Sequence, residues 1–161
     1  MKTMQTLHHP SKEIYSDPSN IFRTHMGLRR KNGSMTGDVA KHITEAIQNY
    51  LEVNEVKCHG FIVLPDRMSF VLSPTKSKTI FDLMQEIQDL VTYHLPRSAV
   101  FFGDFLDHLL RKTEDPKLMA WELFQCAKTA GLVSKASAYP FTGSTMHSMT
   151  SFEDMLLAPQ S

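Results

Sequence analysis

Arg67 and Ser69 stand one residue apart in LPDRMSFVLSP (64–74), directly after a Pro-Asp corner. Alternate residues of an extended chain share a face, so this apolar stretch presents a guanidinium and a hydroxyl together on a sheet surface. The chemistry open to such a pair is ion pairing and hydrogen bonding. Metal ligation is closed to the arginine, which stays protonated and has no lone pair to offer. Other candidates are weaker. Cys58 and His59 are neighbours on a predicted strand and face opposite ways, so they cannot jointly ligate a metal. His8-His9 lie in a polar N-terminal stretch, and Asp107-His108 are expected to make structural hydrogen bonds. His94 falls on a predicted apolar helix stripe, where a satisfied core histidine is the expectation. No metal site and no cofactor follow from these residues.

The elements that position Arg67 and Ser69 can be read from periodicity and punctuation. IFRTHMGLRRK (21–31) predicts a strand closed by the Asn32-Gly33 turn signal. DVAKHITEAIQNYLEV (38–53) places Val39, Ile43, Ala46, Ile47, Tyr50 and Leu51 on one helical face, with Thr36 or Asp38 to cap it. VKCHGFIVLP (56–65) and RMSFVLS (67–73) are linked so tightly by Pro65-Asp66 that they predict an antiparallel hairpin. SKTIFDLMQEIQDLVTYHL (77–95) predicts a helix with a serine cap, ended by Pro96, with Tyr93 as partly buried packing. SAVFFG (98–103) is a short strand. Asp115 as cap, Pro116 at the first position and Gly131 at the close mark a third helix over 115–131. A short helix is expected at 151–158. The order β-α-β-β-α-β followed by a helix predicts an α+β class. Its antiparallel, ferredoxin-like sheet carries helices on one face, with the C-terminal helix added. The expected division is a flexible arm (1–19), one domain (20–133) and a C-terminal tail (134–161).

With 161 residues, 42% of them hydrophobic, the chain is long enough for a sizeable core. No apolar run approaches the ~20 residues that span a bilayer, and the N-terminus lacks a secretory apolar segment. Two cysteines make no disulfide framework, so a reducing, cytoplasmic setting is expected, with no membrane partner. The 17 basic and 17 acidic residues cancel, which argues mildly against a dedicated nucleic-acid binder. Yet residues 1–35 hold six Lys/Arg against two acids, four of them being Arg23, Arg29, Arg30 and Lys31. A solvated strand and turn, or a phosphate-contacting surface, both fit that imbalance.

Three stretches resemble the REP-associated tyrosine transposases, single-tyrosine HUH nucleases that cut and rejoin single-stranded DNA. VLPDRMSFVLSP (63–74) resembles the family's metal-binding strand. FGDFLDHLLRKTED (102–115) resembles the lead into its catalytic helix. AGLVSKASAYP (130–140) resembles the run after that helix. The likeness covers roughly residues 20–141. It implies a strand bearing His-hydrophobic-His, whose histidines bind a divalent cation that polarises the scissile phosphate, and a helix tyrosine that attacks it. Under the resemblance the two histidine positions are Arg67 and Ser69. The nucleophile position is Glu122, and Cys126 stands at a further ligand position one turn on. The expectation is a member of that family without its catalysis, these four positions being vestigial. Arg67 and Glu122 are expected either to pair in place of the metal or to turn separately to solvent.

Three functions remain open from the sequence. The first is non-cutting binding of DNA (hairpin or single-stranded) or RNA through Arg23, Arg29, Arg30, Lys31, Lys76, Lys78, Arg111 and Lys112. The second is a protein-interaction or regulatory module with a protein partner, to which ten methionines and zero net charge lend themselves. The third is a residual enzyme working through Glu122 or Cys126. Monomer and homodimer are equally compatible.

Overall fold

The computed structural model describes residues 13–30, 37–95, 99–102 and 108–152. A single turn, α1 (Glu13–Ser16), leads into β1 (Phe22–Arg30). Then follow α2 (Gly37–Val53), the hairpin β2 (Cys58–Leu64) and β3 (Arg67–Leu72), α3 (Ile80–His94), β4 (Ala99–Phe102), β5 (His108–Leu109), α4 (Pro116–Thr129), a 3-10 turn (Ala136–Ala138) and β6 (Thr142–Gly143). The strands form one antiparallel sheet in the order β4-β1-β3-β2-β6, with β5 continuing the β4 edge against the start of β1. This is the antiparallel α+β architecture expected from the order of elements.

Both faces of the sheet are covered, which explains why β2 reads as a continuous apolar run. All seven of its residues are buried. Facing α2 and α3 lies the larger core, with Phe22, Met26, Phe61, Phe70 and Leu72 from the strands. Ile43, Ile47, Leu51, Ile80, Leu83, Ile87 and Val91 meet them from the helices. Phe61 and Phe70 are cross-strand partners with ring centroids 5.9 Å apart, a pairing worth ~0.5–1.5 kcal/mol beyond its buried area. Tyr15 closes the end of this core against Phe22 and Phe81. On the other face α4 packs Met119, Leu123 and Ala127 over Ile62 and Leu64 of β2 and Val71 of β3.

Local punctuation matches the sequence reading at α4 and departs from it at α3. Asp115 Oδ1 accepts the Lys117 amide at 3.0 Å, Pro116 opens the helix, and Gly131 beyond its end takes φ +77. The cap of α3 is Thr79, not a serine. Its hydroxyl accepts from the Asp82 amide (3.1 Å), while the Asp82 carboxylate accepts from the Thr79 amide (2.9 Å). A reciprocal box satisfies two orphan donors where a lone serine satisfies one, so the helix starts there. Tyr93 is 84% exposed rather than partly buried, because its position falls opposite the Ile80–Ile87–Val91 stripe. Thr36 and residues 153–158 of the expected last helix lie outside the described residues.

The chain after α4 returns to the sheet. Thr142 and Gly143 pair with Ile62 and Phe61 of β2. The Thr145 hydroxyl caps the Cys58 amide (2.8 Å) at the bulge between Cys58 and Gly60, and Tyr139 donates to the Val63 carbonyl at 2.6 Å. Phe152 is fully buried beside Phe124, ring centroids 4.8 Å apart. Among the described residues no helix is long and apolar enough to cross a membrane.

Candidate nucleic-acid interface

The β1–β3 register sets the site. Even-numbered residues of β1 (Phe22, Met26, Leu28) enter the larger core, so Arg23, His25, Gly27 and Arg29 alternate onto the opposite face, the one that bears α4. Across from them on β3, Gly27 faces Arg67, His25 faces Ser69 and Arg23 faces Val71. Because α4 sits over β2 and Val71, it leaves β1 and the first half of β3 beside it rather than beneath it. Arg67 and Ser69 therefore do share one sheet face, together with Arg23 and His25.

Gly60 governs how closely α4 approaches. A Cβ there would stand 2.6 Å from Ala120 Cβ and 3.0 Å from the Phe124 ring, so the helix rests directly on the bare backbone of β2. On α4, Met119, Leu123 and Cys126 form the stripe turned to the sheet, and Glu122 is exposed at its margin. The Arg23 guanidinium crosses to α4, its Nη1 3.2 Å from Met119 Sδ. A groove results, floored by β1 and β3 and walled by α4.

Two guanidiniums, those of Arg23 and Arg67, act on this sheet face. His25, half-buried, has its pKa held below the usual histidine value, first by burial and then by the positive charges of Arg67 and Arg23. The ion pair of Arg67 with Glu122, expected as one of two outcomes, does not form. Arg67 Nη1 lies 3.3 Å from each carboxylate oxygen of Asp66, its own neighbour in the turn. The β-hairpin geometry brings a residue of the corner within reach at no cost in loop closure, whereas Glu122 is on another element and faces solvent. With side chains 41% and 71% exposed, the Arg67–Asp66 pair is worth at most ~1 kcal/mol and leaves the guanidinium free to rotate toward another anion. The Ser69 residue is buried, and its hydroxyl makes no hydrogen bond to any described residue.

The chemistry of such a set suits an anion and does not fit a divalent cation. Arg67 has no lone pair, Ser69 offers one neutral hydroxyl, and two guanidiniums repel a metal ion. Among the described residues no three His, Cys, Asp or Glu side chains converge as metal ligands. Cys126 lies against the small core, its thiol 3.8 Å from the Glu122 carbonyl and without a hydrogen bond to a histidine or carboxylate side chain among the described residues.

The other candidate cations are dispersed. Lys78 belongs to the α2–α3 side, where its Nζ is 2.8 Å from Glu86, which also accepts from Tyr50 (2.6 Å). Lys76 is exposed in the loop after β3, and Arg111 and Lys112 are exposed between β5 and α4. The side chain of Arg30 and all of Lys31 lie outside the described residues. His108 meets Glu114 at 3.1 Å as a structural contact. Two participants escaped the sequence reading. His25 could have been found from alternation alone, since it shares parity with Arg23 and Arg29. Asp66 carried no such signal.

No family model matches the chain, and no curated protein does. A solved structure does, described as the REP-associated tyrosine transposase bound to a REP hairpin. It is 18% identical with a TM-score of 0.65, over 80% of this chain and 78% of that one. The likeness is one of fold.

Proposed function

We propose that this chain is a transposase-derived protein that binds nucleic acid, hairpin or single-stranded DNA foremost, without the metal-dependent cleavage of the fold's cutting members. The observation carrying this reading is the groove of Arg23, His25, Arg67 and Ser69 beside α4. It pairs positive charge and an unused hydroxyl with a donor set unsuited to a divalent cation. Support from comparison comes from the structural neighbour of similar fold, which is described as bound to a REP hairpin. Phosphate contacts through Arg23 and Arg67 make affinity fall with salt, each lost contact reducing the slope of log K against log salt by about 1.

The test is a band-shift salt series with a hairpin oligonucleotide carrying a single-stranded flank, run beside Arg67→Ala and Arg23→Ala. The expected result is binding at low salt that weakens in both variants with a shallower salt slope. Absence of any shift at low salt overturns the reading. Incubation of labelled single-stranded DNA with Mg²⁺ or Mn²⁺ is expected to leave it intact, and a covalent protein–DNA band would reject the loss of cleavage.

One observation favours a second reading, that of a protein-interaction module. An apolar hollow of about 280 Å³ opens at the end of β2, lined by Ala40, Val63, Leu64, Leu132, Val133 and Phe141 among others. Leu132 on its rim is 44% exposed. A neutral outcome in the band shift together with binding of an apolar peptide at this hollow would favour that reading.

A further inference from the structure

His59 and His147 come from distant parts of the chain and meet edge to edge. Nδ1 of His59 is 3.0 Å from Nε2 of His147, with ring centroids 5.2 Å apart. A contact this short between two imidazoles needs one ring to donate and the other to accept, so at least one must be neutral. His59 is held on β2 and buried, 9% exposed. His147 belongs to the returning segment, between Thr145, which caps Cys58, and Phe152, whose ring packs edge-on against it at 5.5 Å.

We infer that this pair is an acid-sensitive latch holding the segment from Ser144 to Phe152 against β2 and α4. At neutral pH the two rings share one hydrogen bond and the segment is docked. When both rings take a proton, two positive charges face each other at hydrogen-bond distance in a poorly solvated pocket, and the segment carrying His147 leaves. The surrounding charges are few. Asp115 at the start of α4 acts on both rings in favour of protonation, and Lys117 opposes it at His147. Lys117 also lies over the Phe152 ring, 5.4 Å from its centroid. The Cys58 thiol behind His59 stays neutral, burial pushing it up to about 12.

The direction of the pH effect follows from linkage. Burial, then the charge of His147, depresses His59 to about 4 when docked. A released histidine titrates near its ordinary 6.5. Released chain therefore takes up protons that docked chain refuses, and docking weakens as pH falls from 6.5 toward 4. Over that interval His59 alone shifts the docking equilibrium by at most about 80-fold. The β6 pairing lies outside the released segment and contains no titrating group, so the sheet itself persists.

Trp121, the chain's single tryptophan, reports on the latch because it packs in the cluster of Ala120, Phe124 and Phe152. Its emission is to be followed from pH 7.5 to 4 with far-ultraviolet circular dichroism recorded in parallel. The expected result is a reversible emission change between pH 6.5 and 4 with helix signal retained. His147→Gln and His59→Gln are expected to remove the transition. Phe152→Ala, which leaves both imidazoles in place, is expected to show the acid-type emission already at pH 7. Emission flat to pH 4, an unchanged transition in the glutamine variants, or simultaneous loss of the helix signal would each overturn the latch.

Discussion

Replacing Gly60 with alanine adds one methyl group where β2 and α4 approach each other closely. The new Cβ would sit 2.6 Å from Ala120 Cβ and 3.0 Å from Phe124 Cζ. The first neighbour is a stub on a helix backbone and cannot rotate aside; the second is a ring fixed against Phe152. α4 must therefore lift as a body, and overpacking of this kind costs ~1–3 kcal/mol. Against it stands the smaller conformational freedom of alanine in the unfolded chain, ~0.4–1 kcal/mol in favour of the variant. The net expectation is destabilisation by about 0.5–2 kcal/mol, a fall of a few degrees in Tm for a chain of this length. Urea titrations of Gly60→Ala, Ala120→Gly and the double variant give the assay. Ala120→Gly alone costs ~1 kcal/mol of helix propensity. In the double variant it also removes the atom that clashes, so the two effects should sum to less than their parts by at least ~0.5 kcal/mol. Stability of Gly60→Ala equal to or above the parent, or strict additivity in the double variant, refutes the reasoning that close contact at Gly60 sets the position of α4.

Thr145→Val keeps the side chain's shape but strips the cap from the Cys58 amide and the bond to the Val56 carbonyl. A loss of ~1–3 kcal/mol in chemical unfolding is expected. Thr79→Ala removes the α3 capping box and should lower stability by ~0.5–2 kcal/mol; an unchanged urea midpoint counts against the cap assignment. For the two thiols, maleimide labelling followed by mass spectrometry is expected to modify Cys126 in the folded protein. Cys58, buried and with its pKa raised to about 12, should react only after denaturation.

Much of the scaffold was legible from residues near one another in the chain. The Pro65-Asp66 corner between two apolar runs could only be a hairpin, and Asp115, Pro116 and Gly131 punctuate α4 as read. Period-3.6 stripes located α2 and α3 because each helix buries the face that its own spacing makes apolar. The parity of Arg67 and Ser69 was equally a local matter, since alternation is a property of the extended backbone itself. What sequence order could not contain was register between distant strands and the face a helix takes. The β1–β3 pairing sets His25 opposite Ser69 and Gly27 opposite Arg67. That pairing gathers Arg23, His25 and Arg67 onto one sheet face. Burial of Ile62, Leu64 and Val71 requires α4 on the face opposite α2 and α3. That placement leaves the groove open. The partner of Arg67 turned out to be Asp66, decided by side-chain reach in three dimensions. His59 and His147 meet only because Thr142–Gly143 returns to β2, an encounter fixed by long-range hydrogen bonding that no local pattern encodes. Local spacing thus determined which elements exist and which side chains share a face. Tertiary packing alone decided which faces meet, and with them the charge and the chemistry of the site.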